Sequence, residues 1–341
     1  MPLTTPTPSG SASTGTPSSE PVLDIRGLRV EYLTTPPVLA CADIDLTVHR
    51  GEILGIAGES GSGKSTLITA LTRLQRPPAA TTAGELVYHR DGTATDLLTL
   101  DDRQMRRLRW TRIAVVLQSA MDALNPVMRL RAQFGDVLRE HRPGIGRDEA
   151  DERIAELLGM VGIPAGRARA YPHELSGGMR QRASIALALA CEPELVIMDE
   201  PTTAVDVIMQ RRIMGQILRL RRRIGFAVVI VTHDLSLLLE TADRIAVMYA
   251  GRIVETAEAA TLYHRPRHPY TRGLKASFPP LHAPVEVLHG IPGSPPDLTR
   301  LPEGCAFHPR CPHVFDRCRT ERPELEHAVA CHLDDTTRES R

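Results

Sequence analysis

Residues 58–66 read Gly58-Glu59-Ser60-Gly61-Ser62-Gly63-Lys64-Ser65-Thr66, which fits the phosphate-loop pattern Gly-x4-Gly-Lys-Ser. An apolar segment typical of a strand precedes this loop, and residues 67–71 continue it with a helical pattern. A strand, a glycine-rich loop and a helix N-terminus form an anion site, because inward N–H groups and the helix dipole both favour negative charge. We therefore expect Lys64 to contact the β- and γ-phosphates of a nucleotide and Ser65 to bind Mg²⁺.

The lysine in this loop is one of only two in the chain. Among 41 basic residues, Lys64 and Lys275 are lysines and the rest are arginines. An ammonium is a compact point charge, whereas a planar guanidinium fork would not fit a tight loop. The retention of lysine here supports a phosphate-binding role.

The composition is that of a globular protein of one large domain or two smaller ones. The chain has 341 residues, 42% hydrophobic and 24% charged, with a formal net charge of zero, so no global field attracts nucleic acid. No apolar run reaches the ~18 residues of a membrane span, and the N-terminus lacks the basic start and apolar block of a secretory signal. We expect a cytosolic chain, or one docked on a membrane through a partner, without a disulfide framework.

Strand-like and helical segments alternate along the chain, which predicts an α/β fold with a mostly parallel, covered sheet. Ligands of such sheets bind at the carboxyl ends of the strands. Four polar residues directly follow apolar runs and should meet there: Gln118, Asp199, Glu200 and His233.

Composition divides the chain into three parts. Residues 1–20 are rich in Thr, Pro, Ser and Gly and are expected to be a disordered tail. Residues 21–276 should form the main domain, with a helical insert at about 122–180. Residues 277–341 are rich in proline and contain four of the six cysteines, which indicates a separate small module.

Five motifs in order resemble those of the nucleotide-binding subunit of ABC transporters. They are Walker A at 58–65, the signature loop Leu175-Ser176-Gly177-Gly178-Met179-Arg180-Gln181-Arg182, Walker B at 195–199 followed by Glu200, the D-loop Ala204-Val205-Asp206, and the switch residue His233. Met179 departs from the glutamine of many relatives but leaves the phosphate-facing Ser176 and Gly178 intact.

The resemblance implies a P-loop NTPase fold with a RecA-like core, an antiparallel β subdomain and a helical insert. It also implies that Ser176, Gly177 and Gly178 face ATP held by a second subunit, identical or homologous, in a head-to-tail dimer with Asp206 nearby. Asp199 would hold Mg²⁺, Glu200 would act as general base, and His233 would donate a hydrogen bond to the γ-phosphate. Gln118 would contact Mg²⁺ or the attacking water, and Tyr32 would stack on adenine.

Segments near the end of the chain resemble those of one group within this family, the ATPases of oligopeptide and dipeptide importers. That group also serves nickel and glutathione uptake. The segments that carry this are His268-Pro269-Tyr270-Thr271, residues 291–296, and Gly304 to Pro312. The implied partners are a membrane permease, which we expect to dock on the segment that follows Gln118, through Leu124-Asn125-Pro126, and an extracytoplasmic substrate-binding protein. The implied location is the cytoplasmic face of the membrane.

Cys305, Cys311, Cys318 and Cys331 lie within 27 residues of one another. They could hold a [4Fe–4S] cluster, which some members of this group bind and which takes four thiolates. They could instead hold zinc, although no Cys-x2–4-Cys pair is present, or remain reduced thiols. We expect the cluster; Cys41 and Cys191 are interpreted as buried thiols.

Two other functional classes are compatible with parts of the sequence. One is an ABC-type ATPase that acts on ribosomes or DNA, and the other is a metal-dependent sensor. Two arginine runs, at 106–109 and 219–223, could suggest nucleic acid, but no aromatic residues are interleaved with them. Solvated helix faces explain these runs better, so we expect no nucleic-acid partner.

Overall fold

The computed structural model describes residues 20–117, 124–202, 206–277 and 290–333. Several residues of the sequence-based predictions lie outside these ranges. They are the N-terminal tail up to residue 19, Gln118, the start of the helical insert at 122–123, the D-loop residues Ala204 and Val205, and residues 278–289 and 334–341.

Six of the described strands form a central sheet. In the order in which they lie side by side, they are β10 (Arg252–Glu258), β9 (Arg244–Tyr249), β3 (Ile53–Ala57), β8 (Ala227–Thr232), β7 (Leu195–Asp199) and β6 (Ile113–Val116). The pairs from β9 to β6 are parallel, and β10 alone runs antiparallel to its neighbour. Every residue of β3, β7 and β8 is buried, which explains their uninterrupted apolar sequences.

A second, antiparallel sheet packs beside the central one. Its order is β2 (Val38–His49), β1 (Pro21–Tyr32), β4 (Ala79–Arg90) and β5 (Thr93–Asp96). The sequence pattern predicts strand structure that begins at 22–25 and continues through 28–32, and the structure has one strand, β1, over this range. Its register shifts between Ile25 and Leu28, around Gly27 with φ of 51°, so the two apolar segments face the same partner strands.

The described helices cover both faces of the central sheet. They are α1 (Lys64–Leu71), α2 (Asp102–Leu108), α3 (Leu130–His141), α4 (Arg147–Met160), α5 (Gly177–Ala188), α6 (Val207–Ile224), α7 (Leu235–Thr241), α8 (Ala259–His264), α9 (Pro269–Ala276) and α10 (Asp316–Thr320). One apolar core joins α3 to α7 to one face of the sheet, and a second joins α1 and the antiparallel sheet to the other face. Alternate residues of β7 illustrate this, since Val196 and Met198 enter the first core and Ile197 enters the second.

Helix α3 begins three residues later than the sequence predicts. The predicted start was Val127, but Asn125 accepts a hydrogen bond from the Val127 N–H at 3.1 Å through its side chain. Its carbonyl also accepts one from the Met128 N–H at 3.2 Å. These bonds hold residues 125–128 in a turn, because Asn side chains compete for nearby backbone donors.

The C-terminal segment, residues 290–333, packs directly on the central domain. Ala330 donates its N–H to the Val254 carbonyl at 2.8 Å, and Thr256 donates to the Ala328 carbonyl at 2.9 Å, so this segment lies along β10. Phe307 is buried in the first core. Among the described residues, none of the helices combines the length and apolarity that crossing a lipid bilayer requires.

Candidate active site

The phosphate loop connects β3 to α1 at the carboxyl end of the central sheet, where the sequence places it. Two glycines are required by the path of this loop. Gly63 has φ of 101°, and a Cβ there would lie 2.2 Å from the Ala40 carbonyl oxygen. A Cβ at Gly58 would lie 2.3 Å from the Met248 carbonyl oxygen. Any larger residue would push the loop away from the strands that hold it.

The Lys64 side chain points back into the phosphate loop. Its Nζ donates to the carbonyl oxygens of Gly58 and Glu59, both at 2.7 Å, and lies 3.3 Å from Ser62 Oγ. Burial lowers the pKa of the Lys64 ammonium, while the charges of Glu200, Asp199 and Glu59 act in the opposite direction. The ammonium is therefore held in place by the backbone and is positioned next to the loop's anion site.

Asp199 ends β7 beside the phosphate loop, and its side chain is 6% exposed. Its Oδ1 is buried and has no hydrogen-bond partner among the described residues, while the carboxylate accepts a hydrogen bond from Ser65. Burial raises the pKa of Asp199, as does the charge of Glu200, whereas Ser65 and the Lys64 charge lower it. A buried carboxylate oxygen without a partner next to a serine hydroxyl fits a hard cation such as Mg²⁺.

Glu200 and His233 come together from neighbouring strands. Glu200 follows β7 and His233 follows β8, and Glu200 Oε1 lies 3.0 Å from His233 Nδ1. The Glu200 N–H donates to the Val231 carbonyl at 2.8 Å, which ties the end of β7 to β8. Glu200 has φ of 44°, in the left-handed region that non-glycine residues rarely occupy and that is common at functional sites.

Tyr32 lies at the end of β1 beside the same loop. Its hydroxyl is 3.0 Å from Thr66 Oγ1. The side chain is partly exposed, so its position next to Thr66 leaves part of the ring surface open to solvent.

Comparison with known proteins identifies the family. The chain matches the family model "ABC transporter" over residues 41–203. It is 45% identical over 319 residues to a putative peptide import ATP-binding protein of Brucella ovis, a match that covers 90% of this chain and 94% of the relative. The chain belongs to the ABC transporter family. The resemblance seen in the five sequence motifs is thereby confirmed.

Further matches agree with this assignment. Residues 254–318 match the family model "Oligopeptide/dipeptide transporter, C-terminal region". The oligopeptide transport ATP-binding protein OppD of Salmonella typhimurium is 41% identical over 318 residues, which are 92% of this chain and 93% of OppD. A dimeric ATP-binding cassette, MJ0796, in a post-hydrolysis state with ADP and Pi, superposes with a TM-score of 0.61 and 28% identity, over 70% of this chain and 98% of that one. The predicted P-loop NTPase fold and the prediction of an ATPase are confirmed.

The predicted signature loop, residues 175–182, contains the start of α5. Ser176 is exposed and caps this helix, accepting a hydrogen bond from the Met179 N–H at 3.3 Å. Gly178 is buried against Met209 of α6, where a Cβ would lie 2.9 Å from Met209 Sδ. The lack of a side chain at Gly178 therefore allows α5 to approach α6 closely.

The described part of the D-loop, Asp206, caps the next helix. Its Oδ1 accepts a hydrogen bond from the Met209 N–H at 2.9 Å, at the start of α6. Met209 thus contacts both the signature loop and the D-loop residue. The sequence predicts each of these two segments separately but gives no indication of this connection.

The four C-terminal cysteines line one small cavity of about 20 Å³, together with His308 and His332. All six cysteines lie among the described residues, and none of them forms a disulfide there. Burial, with a smaller contribution from the three other thiols, raises the pKa of Cys305 to about 11, against the lowering effect of a hydrogen bond from the Phe307 backbone. Within the described residues, no group of three or more His, Cys, Asp or Glu side chains is arranged to hold a metal ion.

These observations do not support the expected metal cluster in this arrangement. A cavity of this volume has room for about one water molecule, which is less than a four-iron cluster needs. The four thiols are neighbours, as the sequence suggests, but they do not form a ready set of ligands.

One contact of the phosphate loop is not predicted by the sequence motifs. Arg310 Nη1 donates to Glu59 Oε2 at 2.7 Å, and Arg310 Nη2 donates to Glu59 Oε1 at 2.9 Å. The only sequence signal was the position of Arg310 inside the His-Pro-Arg-Cys segment that resembles the importer group.

Proposed function

We propose that this chain is the ATP-hydrolysing subunit of an importer that takes up dipeptides or oligopeptides. The observation that carries this proposal is the match of residues 254–318 to the C-terminal region of oligopeptide and dipeptide transporters. The relatives from Brucella ovis and Salmonella typhimurium, whose names refer to peptide import and oligopeptide transport, align over nearly their whole lengths.

ATP binds with its phosphates in the loop of residues 58–66. The N–H groups of this loop and the N-terminus of α1 surround the phosphates, and Lys64 contacts the β- and γ-phosphates. Ser65 and Asp199 hold Mg²⁺, and the partnerless Oδ1 of Asp199 supports this assignment. When bound, the metal ion neutralises charge on the β- and γ-phosphate oxygens. Tyr32, next to Thr66, stacks on the adenine ring.

Glu200 acts as the general base that takes a proton from the attacking water. The hydrogen bond between Glu200 and His233 supports this role, because it fixes the carboxylate at the carboxyl end of β7. His233 then donates to the γ-phosphate once nucleotide is bound. Gln118, which the resemblance places at Mg²⁺ or the water, lies outside the described residues.

Two such subunits, identical or homologous, form a head-to-tail dimer. The exposed Ser176, with Gly177 and Gly178, faces ATP held by the partner subunit, and Asp206 lies at the same interface. The solved cassette MJ0796 is described as dimeric, which supports this arrangement. The common contact with Met209 connects the signature loop to the D-loop residue and would allow both to respond together.

The dimer docks on a membrane permease at the cytoplasmic face of the membrane, and an extracytoplasmic binding protein supplies the substrate. The turn at 125–128 is the proposed docking point. Gln133 holds it, accepting from the Asn125 N–H at 2.9 Å and donating to the Met128 carbonyl at 2.9 Å. Val127 in this turn is 79% exposed, an apolar side chain available to a partner.

The arginine runs are partly engaged in the fold, which favours import over a role on nucleic acid. Arg109 donates to the Arg73 carbonyl at 2.8 Å, and Arg221 pairs with Asp243 at 2.8 Å. Guanidinium groups that are bonded to carbonyls and carboxylates of the fold are not free to bind phosphate backbones.

The decisive experiment reconstitutes the chain with its permease and binding protein in proteoliposomes. ATP hydrolysis should increase when a peptide is supplied on the binding-protein side, and labelled peptide should accumulate. Stimulation by nickel or by glutathione instead would change the proposed cargo. Stimulation by ribosomes or nucleic acid, without any by these cargoes, would contradict the proposal.

A further inference from the structure

Two C-terminal segments meet the phosphate loop at a single residue, Glu59. One is the start of α9, which contributes Tyr270, and the other is the turn at 308–310, which contributes Arg310. These are two of the segments by which the sequence resembles the importer group. Neither segment has a role in the ATPase mechanism described above.

The Arg310 side chain is buried in the fold and does not lie on the surface. It is 7% exposed. Its bidentate salt bridge with Glu59 joins two residues that are 251 positions apart in the sequence. Its Nε donates to the Pro292 carbonyl at 2.8 Å. The guanidinium also lies over the rings of Tyr249 and Phe307, at 5.9 Å and 6.0 Å from their centroids. Planar, two-pronged pairing of this kind fixes geometry as well as charge.

Glu59 is held at three points. Its N–H donates to the hydroxyl of the fully buried Tyr270 at 2.9 Å, and its carbonyl accepts from Lys64 Nζ at 2.7 Å. Its carboxylate is paired with Arg310. The backbone that orients the Lys64 ammonium is therefore connected directly to the C-terminal segment.

The charge of Glu59 explains why such a connection is needed. A carboxylate in a loop that receives a triphosphate would repel the ligand and weaken its binding. The Arg310 guanidinium, at hydrogen-bonding distance and largely removed from water, cancels this charge.

We propose that Arg310 is a positioning residue of the nucleotide site, which neutralises Glu59 and fixes the carbonyls that hold Lys64. This inference rests on the proposed function, since it concerns binding of ATP at the phosphate loop. It assigns to the C-terminal segment a direct part in nucleotide affinity.

The test is a double-mutant cycle on Mg·ATP affinity, with steady-state ATP hydrolysis measured in the full reconstituted complex. Arg310→Ala should raise the Kd and KM for ATP about tenfold or more, because it leaves an unpaired carboxylate in the loop, while kcat at saturating ATP changes little. Glu59→Gln should change Kd less than about threefold. The double variant Arg310→Ala/Glu59→Gln should bind ATP nearly as well as Glu59→Gln alone.

Matched controls separate this effect from general damage. Arg317→Ala removes an exposed guanidinium of the same segment, paired with Glu321 at 2.7 Å, and should leave Kd unchanged. Arg310→Lys keeps a charge without the two-pronged geometry and should give an intermediate Kd. If Arg310→Ala does not fold, Arg310→Lys with and without Glu59→Gln provides the same comparison, and Glu59→Gln should again restore affinity.

An unchanged Kd in Arg310→Ala, or a double variant as weak as Arg310→Ala alone, would overturn the proposal. A wild-type complex that neither binds nor hydrolyses ATP would instead overturn the proposed function. The two failures are therefore distinguishable in one set of measurements.

Discussion

His233 Nδ1 lies 3.0 Å from Glu200 Oε1, so the imidazole and the proposed general base form a hydrogen-bonded pair across the ends of two adjacent strands. The Glu200 side chain is 14% exposed and that of His233 is 60% exposed. The Glu200 carboxylate is thus mostly buried at the carboxyl end of the central sheet, and the His233 ring lies between it and the solvent. A nucleotide that reaches the site meets both groups at once.

The proposed role of Glu200 predicts a separation of binding from turnover. Glu200→Gln keeps the shape of the side chain but removes the group that accepts a proton. We expect kcat to fall by about 10²–10⁴-fold and the Kd for Mg·ATP to change less than about threefold. Phosphate release and nucleotide binding measure the two quantities.

The control for this variant is Glu240→Gln, an exposed glutamate paired with Arg211 at 3.4 Å, which should keep wild-type turnover. If Glu200→Gln hydrolysed ATP at the wild-type rate, the assignment of the base would be wrong.

The pairing of His233 with Glu200 predicts that His233 acts on kcat rather than on ATP affinity. His233→Ala removes both the partner that orients Glu200 and the proposed γ-phosphate donor, so kcat should fall by roughly 10–100-fold. His233→Gln retains a donor and should recover part of the rate. His264→Ala, at an exposed position in α8, should have no effect. A large change in Kd with an unchanged kcat would show that His233 serves binding instead.

The central sheet could be predicted from sequence because its strands are buried on both faces. Uninterrupted apolar runs admit few other interpretations. The sequence predicts strands at 195–200 and 227–231, and the structure has strands at Leu195–Asp199 and Ala227–Thr232. The position of Asp199, Glu200 and His233 at the same sheet edge follows from this, since parallel strands end together.

The edge strand β10 was not predicted from the sequence. Strand β10, Arg252–Glu258, has charged or polar residues at four of seven positions and lies at the edge of the sheet. Its identity as a strand depends on pairing with β9 and on contacts with residues 328–330. Tertiary contacts of this kind override local propensity and leave no local pattern to read.

The contact between Arg310 and Glu59 could not be predicted for a similar reason. Arginine is the usual basic residue throughout this chain, so nothing in the sequence selects Arg310 as the partner of Glu59. The pairing depends on how the C-terminal segment folds back over β10 and on the aromatic contacts of Tyr249, Tyr270 and Phe307.

The burial of Asp199 predicts that a residue proposed to bind Mg²⁺ also lowers the stability of the folded protein. Burial raises the pKa of its carboxyl above the ordinary value, so the folded protein binds a proton at Asp199 more tightly than the unfolded chain does. This contribution to stability is present at low pH and is lost as the pH rises through the folded-state pKa. Asp199→Asn should therefore raise Tm at pH 8 by about 1–2 °C, the change that ~1 kcal/mol gives in a chain of 341 residues. The gain should shrink as the pH falls through the raised pKa of Asp199, and Mg²⁺ should no longer strengthen ATP binding.

Thermal unfolding between pH 5 and pH 8, with and without Mg·ATP, measures this effect. Asp297→Asn is a matched control of opposite sign, because hydrogen bonds from Thr299 lower the pKa of that exposed carboxyl. It should give no stabilisation at any pH. A lower Tm for Asp199→Asn at pH 8 would show that the carboxylate is compensated in the nucleotide-free protein.

The cysteine cavity predicts an unreactive thiol at Cys305 in metal-free protein. Burial raises the pKa of Cys305 to about 11, so little thiolate is present at pH 8. Iodoacetamide should modify Cys305 about a hundredfold more slowly in the native protein than in urea, where the thiol has its ordinary pKa. The native rate should increase as the pH rises toward 11.

Peptide mapping after timed alkylation measures the reaction at each cysteine. Cys41 is an internal control, since burial raises its pKa to about 12 and it should react at least as slowly. Equal rates for Cys305 in native and unfolded protein would mean that the thiol is exposed and ionised.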